Sequence, residues 1–179
     1  MDSIFMQPTR WYVITGAPCS GKTAVIRGLE RRGFPVVHEV ARAYIDDELK
    51  KGRGINAVKA DTRAFESHIL NKKIEIEAAL PIDTVIFLDR AVPDSIAYYR
   101  LSGLDPGEPL EKSRTYRYKK VFLFERLLFE KDPVRSENEN MAAKLEMLLA
   151  ESYRMLGYSL VRVPLLPVGE RVDFILKRI

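Results

Sequence analysis

Residues 16 to 23 read Gly16-Ala17-Pro18-Cys19-Ser20-Gly21-Lys22-Thr23, which matches the pattern G-x-x-x-x-G-K-T at every defined position. The apolar run 11–14 precedes this octapeptide, and residues 24–32 after it have the composition of a helix that ends at Gly33. A strand, a glycine-rich turn and a helix in this order are the context that the pattern requires. The octapeptide therefore predicts a nucleotide-binding phosphate loop, and a chance glycine turn beside a lysine would need neither flank.

The conserved chemistry of such a loop assigns a separate role to each part of it. Gly16 and Gly21 let the backbone bend so that successive N–H groups converge on a polyphosphate at the positive end of the following helix. Lys22 is expected to reach the terminal phosphates, and the hydroxyl of Thr23 is expected to hold Mg²⁺.

Length and composition indicate one domain, residues 1–179, with 46% hydrophobic residues for a single core. Residues 1–9 lack the apolar segment of a signal peptide, and no apolar run approaches the roughly 20 residues that cross a bilayer. Cys19 is the only cysteine, so no internal disulfide can form. These features predict a cytoplasmic protein without a membrane span.

The net charge is +4, and basic residues alternate with tyrosines over residues 114–120. A nucleic-acid surface is one interpretation of this segment. A solvated helix face, or a groove for a small anion, is the interpretation that we favour, because no nucleic-acid recognition motif accompanies the charge.

Apolar runs alternate with amphipathic segments along the chain, which predicts strands alternating with helices. The predicted strands are 11–14, 35–38, 84–88, 121–124 and 160–163; the predicted helices are 24–32, 39–51, 58–80, 93–103, 136–156 and 168–179. Residues 53–56 and 105–109 are predicted loops. The fold class is therefore α/β, a three-layer α/β/α sandwich with a mainly parallel five-stranded sheet. In the helix 58–80, Phe65, Ile69, Ile76 and Leu80 are expected to form the buried face.

Ligands of parallel sheets bind beyond the carboxyl ends of the strands, and an acid with an arginine follows three predicted strands. The three pairs are Glu39 with Arg42, Asp89 with Arg90, and Glu125 with Arg126. Asp89 is the expected second Mg²⁺ ligand. Glu39 is a candidate general base, and Arg42 is a candidate group for holding the substrate, although a surface salt bridge between the two explains them equally well.

Residues 125–136 connect a strand to a helix that begins with the capping sequence Ser136-Glu137-Asn138-Glu139. Arg126, Lys131 and Arg135 are the cations of this connection. Phosphoryl transfer depends on positioning and charge neutralisation, so we predict a lid that brings Arg126 and Arg135 onto the nucleotide. An ordinary exposed connection is the alternative.

The chain resembles a known P-loop ATPase/kinase family. The resemblance rests on four segments: the loop 16–23, Glu39 to Arg42, residues 88–95 and the Asp-Pro-Val-Arg sequence 132–135. This family includes the ribosylnicotinamide-kinase (AAA) domain of the bacterial NAD regulator, and the chain is similar more broadly to thymidylate and deoxynucleoside kinases. The resemblance implies ATP and Mg²⁺ in the loop and an arginine-bearing lid. It also implies an acceptor pocket lined by Glu39, Arg42, Asp89 and Arg90, and an adenine contact near residues 165–168.

Three functions follow from these observations, of which a small-molecule kinase with a nucleoside-like acceptor is the leading one. A regulatory nucleotide-binding or slow NTPase module is the second, and a nucleic-acid-binding protein is the third. A guanine-specific switch is disfavoured, because Ile74 follows Asn71-Lys72-Lys73 where an acid would read guanine. A ring-forming motor is disfavoured because the chain has no room for the usual helical lid domain.

Overall fold

A five-stranded parallel sheet forms the centre of the protein. The computed structural model describes residues 6–126 and 136–179. Their strands are β1 (Gln7–Pro8), β2 (Trp11–Thr15), β3 (Val36–Val37), β4 (Ile86–Asp89), β5 (Tyr116–Arg117), β6 (Lys120–Phe124) and β7 (Leu160–Val163). The main sheet has the order β3-β4-β2-β6-β7 and every neighbouring pair is parallel. The predicted fold class is confirmed.

Helices cover the sheet. They are α1 (Lys22–Arg31), α2 (Val40–Lys50), α3 (Ile55–Val58), α4 (Thr62–Ala79), α5 (Asp94–Leu101), α6 (Gly107–Lys112), α7 (Ser136–Met155) and α8 (Val168–Leu176). Within the described ranges, no helix combines the length and the apolar character needed to cross a lipid bilayer.

The central strand β2 explains why the sheet needs helices on both faces. All five of its residues are buried, and successive side chains point to opposite sides of a strand. Trp11 and Val13 pack in the core beside α5 and α7, while Tyr12 and Ile14 pack in the core beside α1 and α8. Each fully buried large side chain stabilises the fold by about 1.5–3 kcal/mol. The phosphate loop thus begins on the most deeply buried strand.

The predicted helix 58–80 is wrong at its start, since α3 and α4 are separate helices within 55–79. Asp61 causes the break: its side chain accepts a hydrogen bond from the backbone N–H of Ala64 at 2.9 Å and caps α4. The expected loop 53–56 is wrong in its second half, because Ile55 and Asn56 form the first half of α3.

The buried face of α4 also differs from the prediction. Ile69 is buried as expected, but Phe65, Ile76 and Leu80 are only half-buried. The other buried residues of this helix are Glu66, Leu70, Lys73 and Glu77. Apolar periodicity could not identify this face because three of its members are charged.

The segment 105–109 was expected to be a loop, yet α6 begins at Gly107. Pro109 lies in the first turn of α6, where its missing N–H costs no intrahelical hydrogen bond. The two-residue strands β1 and β5, which pair with each other, were also not predicted, because runs this short carry no periodic signal.

Candidate active site

The loop 16–23 leaves β2 and turns sharply into α1. Gly16 and Gly21 have φ angles of 145° and 83°, in the region that favours glycine, and Cys19 also has a positive φ of 60°. A Cβ atom on Gly16 would lie 2.8 Å from the carbonyl oxygen of Phe124. Close packing of the loop against the end of β6 therefore requires glycine at this position.

The ammonium of Lys22 is buried within the loop. Its Nζ donates to the carbonyl oxygen of Ala17 at 2.7 Å and to Oγ of Ser20 at 3.0 Å. Burial lowers the pKa of Lys22 to about 8, with a further contribution from the charge of Arg90. An anion at the loop would restore the preference for the charged form.

The first turn of α1 offers backbone donors. Its N-cap is Gly21, so no side chain accepts the N–H groups at this end. Thr23 is half-buried and lines the adjoining cleft, as do Pro18, Cys19 and Ser20. Free N–H groups at a helix N-terminus, together with the helix dipole, favour an anion.

Arg171 of α8 supports the loop from behind. Its Nη1 donates to the carbonyl oxygen of Ser20 at 2.9 Å, and its Nε donates to the carbonyl oxygen of Leu166 at 2.6 Å. A Cβ atom on Gly21 would lie 2.9 Å from the same guanidinium. When the N–H groups of a loop face an anion, its carbonyl groups face the protein and need donors. Arg171 supplies one of them.

Asp89 ends β4 directly beside the loop strand, in register with Ile14. The carboxyl group is buried, and among the described residues its Oδ1 has no hydrogen-bond partner. Burial, followed by the nearby charge of Glu39, raises the pKa of Asp89 to about 6. A buried carboxylate oxygen without a donor is costly for folding, which indicates a binding role.

Asp94 is also fully buried, but its carboxylate is saturated with donors. Thr15, Tyr153 and the guanidinium of Arg90 donate to it from side chains, and the backbone N–H of Ala91 donates at 2.9 Å. Asp94 therefore ties β2, α5 and α7 together beneath the loop.

Arg90 forms ion pairs with two acids, Glu39 and Asp94. Its Nε donates to Oε1 of Glu39 at 3.1 Å, and its guanidinium lies 5.3 Å from the ring centroid of Tyr98. Arg90 has a φ angle of 69°, which costs a non-glycine residue about 1–2 kcal/mol. This strain is held by the buried ion pairs of Arg90 with Glu39 and Asp94, and strain of this kind concentrates at functional sites.

A cleft of about 920 Å³ opens from the phosphate loop. The loop, α2, α4 and α5 form its walls, and Glu39, Arg42 and Arg90 all line it. Asp89 lies beneath this surface, close enough to Lys22, Glu39 and Arg90 for their charges to shift its pKa. The structure thus brings together the loop and the predicted acceptor residues.

The predicted lid is only partly visible. Arg126 follows β6, and its Nε donates to Oε2 of Glu146 on α7 at 3.1 Å. It lines a second cavity of about 240 Å³ with Arg154 and Arg162 rather than the main cleft. Lys131 and Arg135 lie outside the described residues, as does most of the segment 125–136, so the lid remains a prediction.

The residues present fit a Mg²⁺–nucleotide complex. A hydroxyl from Thr23 and a carboxylate from Asp89 are hard oxygen ligands of the kind that Mg²⁺ prefers, and Oδ1 of Asp89 lacks another partner. Across the described residues, no group of three or more His, Cys, Asp or Glu side chains could hold a metal unaided. Phosphate oxygens would therefore have to complete the coordination.

Some residues of this site were missed by sequence reasoning. Asp94 lies in the quoted segment 88–95, but nothing there separated it from a surface acid. Lys73 falls on the same helical face as Ile69, and a lysine in an apolar stripe was a usable signal. Arg171 gave no signal, because one arginine in an amphipathic helix is ordinary.

Comparison with known proteins agrees with this geometry. A family model described as "AAA domain" matches residues 11–171, so the chain belongs to this AAA-domain family. No curated protein shows significant sequence similarity to the chain.

Solved structures confirm the P-loop kinase fold. NadR in complex with NR matches with a TM-score of 0.67 and 19% identity over 97% of this chain and 49% of NadR. Deoxyadenosine kinase from M. mycoides has a TM-score of 0.65 and 15% identity over 94% of this chain and 97% of that one. Thymidylate kinase from Ehrlichia chaffeensis has a TM-score of 0.65 and 11% identity over 95% and 97%. The chain spans about half the length of the NadR structures that it matches.

Proposed function

We propose that this chain is an ATP- and Mg²⁺-dependent small-molecule kinase that phosphorylates a hydroxyl of a nucleoside-like acceptor. The observation that carries the proposal is the continuity of the cleft, which runs from Lys22 and Thr23 to Glu39, Arg42 and Arg90. A volume of about 920 Å³ is within the range of small-molecule sites. Two of the similar structures are a deoxyadenosine kinase and a thymidylate kinase, and nucleotides are bound in NadR and in the deoxyadenosine kinase, which supports the same proposal.

The residues divide into two groups. The amides of loop 16–23 and the ammonium of Lys22 bind the phosphates, and Thr23 with Asp89 holds Mg²⁺, which supplies charge neutralisation when bound. Residues 165–168 after β7 contact the adenine. Arg171 positions the phosphate loop relative to the adenine contact, because it donates to the carbonyl oxygens of both Ser20 and Leu166.

The second group acts on the acceptor. Glu39 takes the proton of the acceptor hydroxyl as the phosphoryl group moves from ATP to that oxygen, which requires the carboxylate to be ionised. Arg90 keeps Glu39 in place through their ion pair, which has 3.1 Å between Nε and Oε1. Arg42 holds the acceptor, and Arg126 and Arg135 neutralise charge from the lid.

A regulatory nucleotide-binding module is the second candidate. It is favoured by the match to about half of NadR, which shows that a domain of this fold occurs within a longer protein. In such a module the cleft would bind a regulatory ligand rather than an acceptor. We infer a reducing, cytoplasmic setting for either function, because Cys19 lies exposed in the loop.

The test is a screen of nucleosides, vitamins and sugars with ATP and Mg²⁺, with product formation followed by mass spectrometry. The kinase proposal predicts one phosphorylated acceptor class and at least about a 10²-fold loss of rate in Arg126→Ala or Arg135→Ala, with little change in ATP affinity. Slow hydrolysis with no phosphorylated product would favour the regulatory module.

A further inference from the structure

Glu66 is a buried acid in the wall of the cleft that the proposed mechanism does not use. It lies on α4, is 8% exposed, and lines the same cavity as Lys22 and Arg90. Within the described residues its carboxylate makes no hydrogen bond or ion pair. Its nearest cations, Lys59 and Lys73, act on it through space only.

A ligand that fills the cleft would cover Glu66. Burial already raises the pKa of Glu66, and an ionised carboxylate that is removed from water without a hydrogen-bond donor costs free energy. A ligand that donates a hydrogen bond would remove this cost. Lys59 does not serve this purpose, since its Nζ lies over the ring of Phe65 at 5.7 Å from the centroid.

The position of Glu66 along α4 shows which end of the acceptor it faces. Lys73 is seven residues further on, which places it on the same helical face about 10 Å along the axis. Lys73 donates to Oγ of Ser95 at 3.1 Å and is close to Asp94 and Arg90, beside the loop strand. Glu66 therefore lies at the end of the cleft distal to the phosphate loop.

The distal end of the cleft is otherwise mostly apolar. Phe65 and Ile69 flank Glu66 on α4, and Ile45, Leu49 and Ile55 line the facing wall from α2 and α3. Asp46 and Lys59 also line this end but are exposed, so Glu66 is its buried acceptor group. A mostly apolar slot with a buried acceptor group selects a flat, uncharged ring that carries a donor. A ligand carboxylate in the same place would be repelled by Glu66.

We propose that Glu66 determines acceptor specificity by accepting a hydrogen bond from an exocyclic NH₂ group, an amine or a carboxamide, on the ring of the acceptor. Resting on the proposed kinase function, this inference defines its acceptor class as ring compounds with an exocyclic NH₂ donor at the distal edge. Ring compounds with an oxo or carboxylate group at the same edge are excluded. Glu66 is a specificity residue and takes no part in the transfer step.

The experiment compares acceptors that differ at one edge only. The pairs are cytidine with uridine, adenosine with inosine, and the carboxamide with the carboxylate form of a pyridine riboside. Only the first member of each pair, called the N–H member below, carries an exocyclic NH₂ group. For each pair kcat/KM is measured with ATP and Mg²⁺, and binding without ATP is measured by calorimetry. The full chain is used as the wild type, Glu66→Gln, Glu66→Asp and Glu75→Gln. Glu75 is the matched control, because it lies on the same helix but is exposed and paired with Lys72 at 2.8 Å.

In the wild type, we expect the N–H member to be preferred by about 10–100-fold in the pair that fits the cleft, the value of a hydrogen bond to a charged group. Glu66→Gln should reduce this ratio below about 3-fold, while Glu66→Asp keeps its direction and Glu75→Gln leaves it unchanged. Because Glu66→Gln removes an unpaired charge, its thermal midpoint should not fall. A lowered midpoint with an unchanged ratio would show a merely structural role and overturn the inference.

The remaining outcomes separate this inference from the proposed function. Phosphorylation without a preference within any pair overturns the inference and leaves the kinase intact. Glu66-dependent binding of the N–H member without phosphate transfer supports the inference and removes the kinase. If no member of any pair binds or is phosphorylated, the inference is wrong, and the broader acceptor screen decides the kinase function.

Discussion

The phosphate loop and the acceptor cleft are neighbouring regions that are built by different means. The loop is eight consecutive residues whose proposed function depends on backbone conformation, with positive φ angles at Gly16, Cys19 and Gly21. The cleft is assembled from side chains of α2, α4 and α5, which are far apart in sequence. A contiguous backbone motif tolerates few residue types, whereas a surface made of side chains can change its ligand one residue at a time.

The two regions should therefore respond differently to substitution. Changes in the loop or directly beneath it should remove nucleotide binding or turnover altogether. Changes in the cleft should alter which acceptor is used and leave nucleotide binding intact. The following predictions test this division, beginning with the largest expected effect.

Replacement of Lys22 by alanine should reduce turnover by at least about 10³-fold, because the loop loses the charge that neutralises the transferred phosphate. Thermal unfolding should show that the variant is folded, since within the described residues the hydrogen bonds of the Lys22 ammonium go to its own loop, at Ala17 and Ser20. Turnover within about 3-fold of the wild type, measured with the acceptor that the screen identifies, would contradict the role of the loop.

Asp89 and Asp94 offer a sharper contrast, since both are buried and only one is saturated with donors. Asp89→Asn should reduce the rate by about 10²-fold through loss of a Mg²⁺ ligand, with no loss of stability. Asp94→Asn should lower the free energy of unfolding by about 3 kcal/mol, because it breaks a buried ion pair with Arg90. Denaturant unfolding and kinetics on both variants give the comparison, and equal destabilisation of the two would refute it.

The pH dependence of activity should reflect the protonation of Asp89. Because Asp89 has a raised pKa of about 6, the carboxylate that we propose as a Mg²⁺ ligand is lost as the pH falls below that value. Activity at limiting Mg²⁺ should then fall about tenfold per pH unit. The Asp89→Asn variant should lack this acidic limb, and an unchanged limb would assign it to another group.

Arg171 gives the smallest of these effects. Arg171→Met removes the donors to Ser20 and Leu166 and should raise the KM for ATP by about tenfold, while kcat changes less than threefold. Arg171→Lys keeps one donor and should recover part of the loss. Steady-state kinetics with varied ATP measures the split, and a fall in kcat with an unchanged KM would count against a positioning role.

Much of the fold was predictable because its signals are local. The five apolar runs became the five strands of the main sheet, and Gly33, Gly52, Gly103 and Gly157 follow helices with positive φ, as the predicted helix ends require. The prediction failed where tertiary contacts decide the outcome. Charged residues on the buried face of α4 are one case, and the cap that Asp61 provides is another.

The positions of the loop and of Asp89 and Arg90 at a strand end were predictable from the sequence. The donors around Asp94 and the link from Arg171 to the loop could not be predicted, because they join residues 59 and 151 positions apart. The roles of all the predicted site residues remain predictions, although Glu39 and Arg42 line the cleft. Specificity depends on such long-range contacts, and a single sequence does not reveal them.

The most direct test of the two-region account is a calorimetric titration of the full chain with a non-hydrolysable ATP analogue and Mg²⁺. The wild type should bind, Lys22→Ala should lose at least about tenfold in affinity, and Arg42→Ala, in the cleft, should bind as the wild type does. Equal binding by Lys22→Ala and the wild type, or equal losses in both variants, would contradict the account.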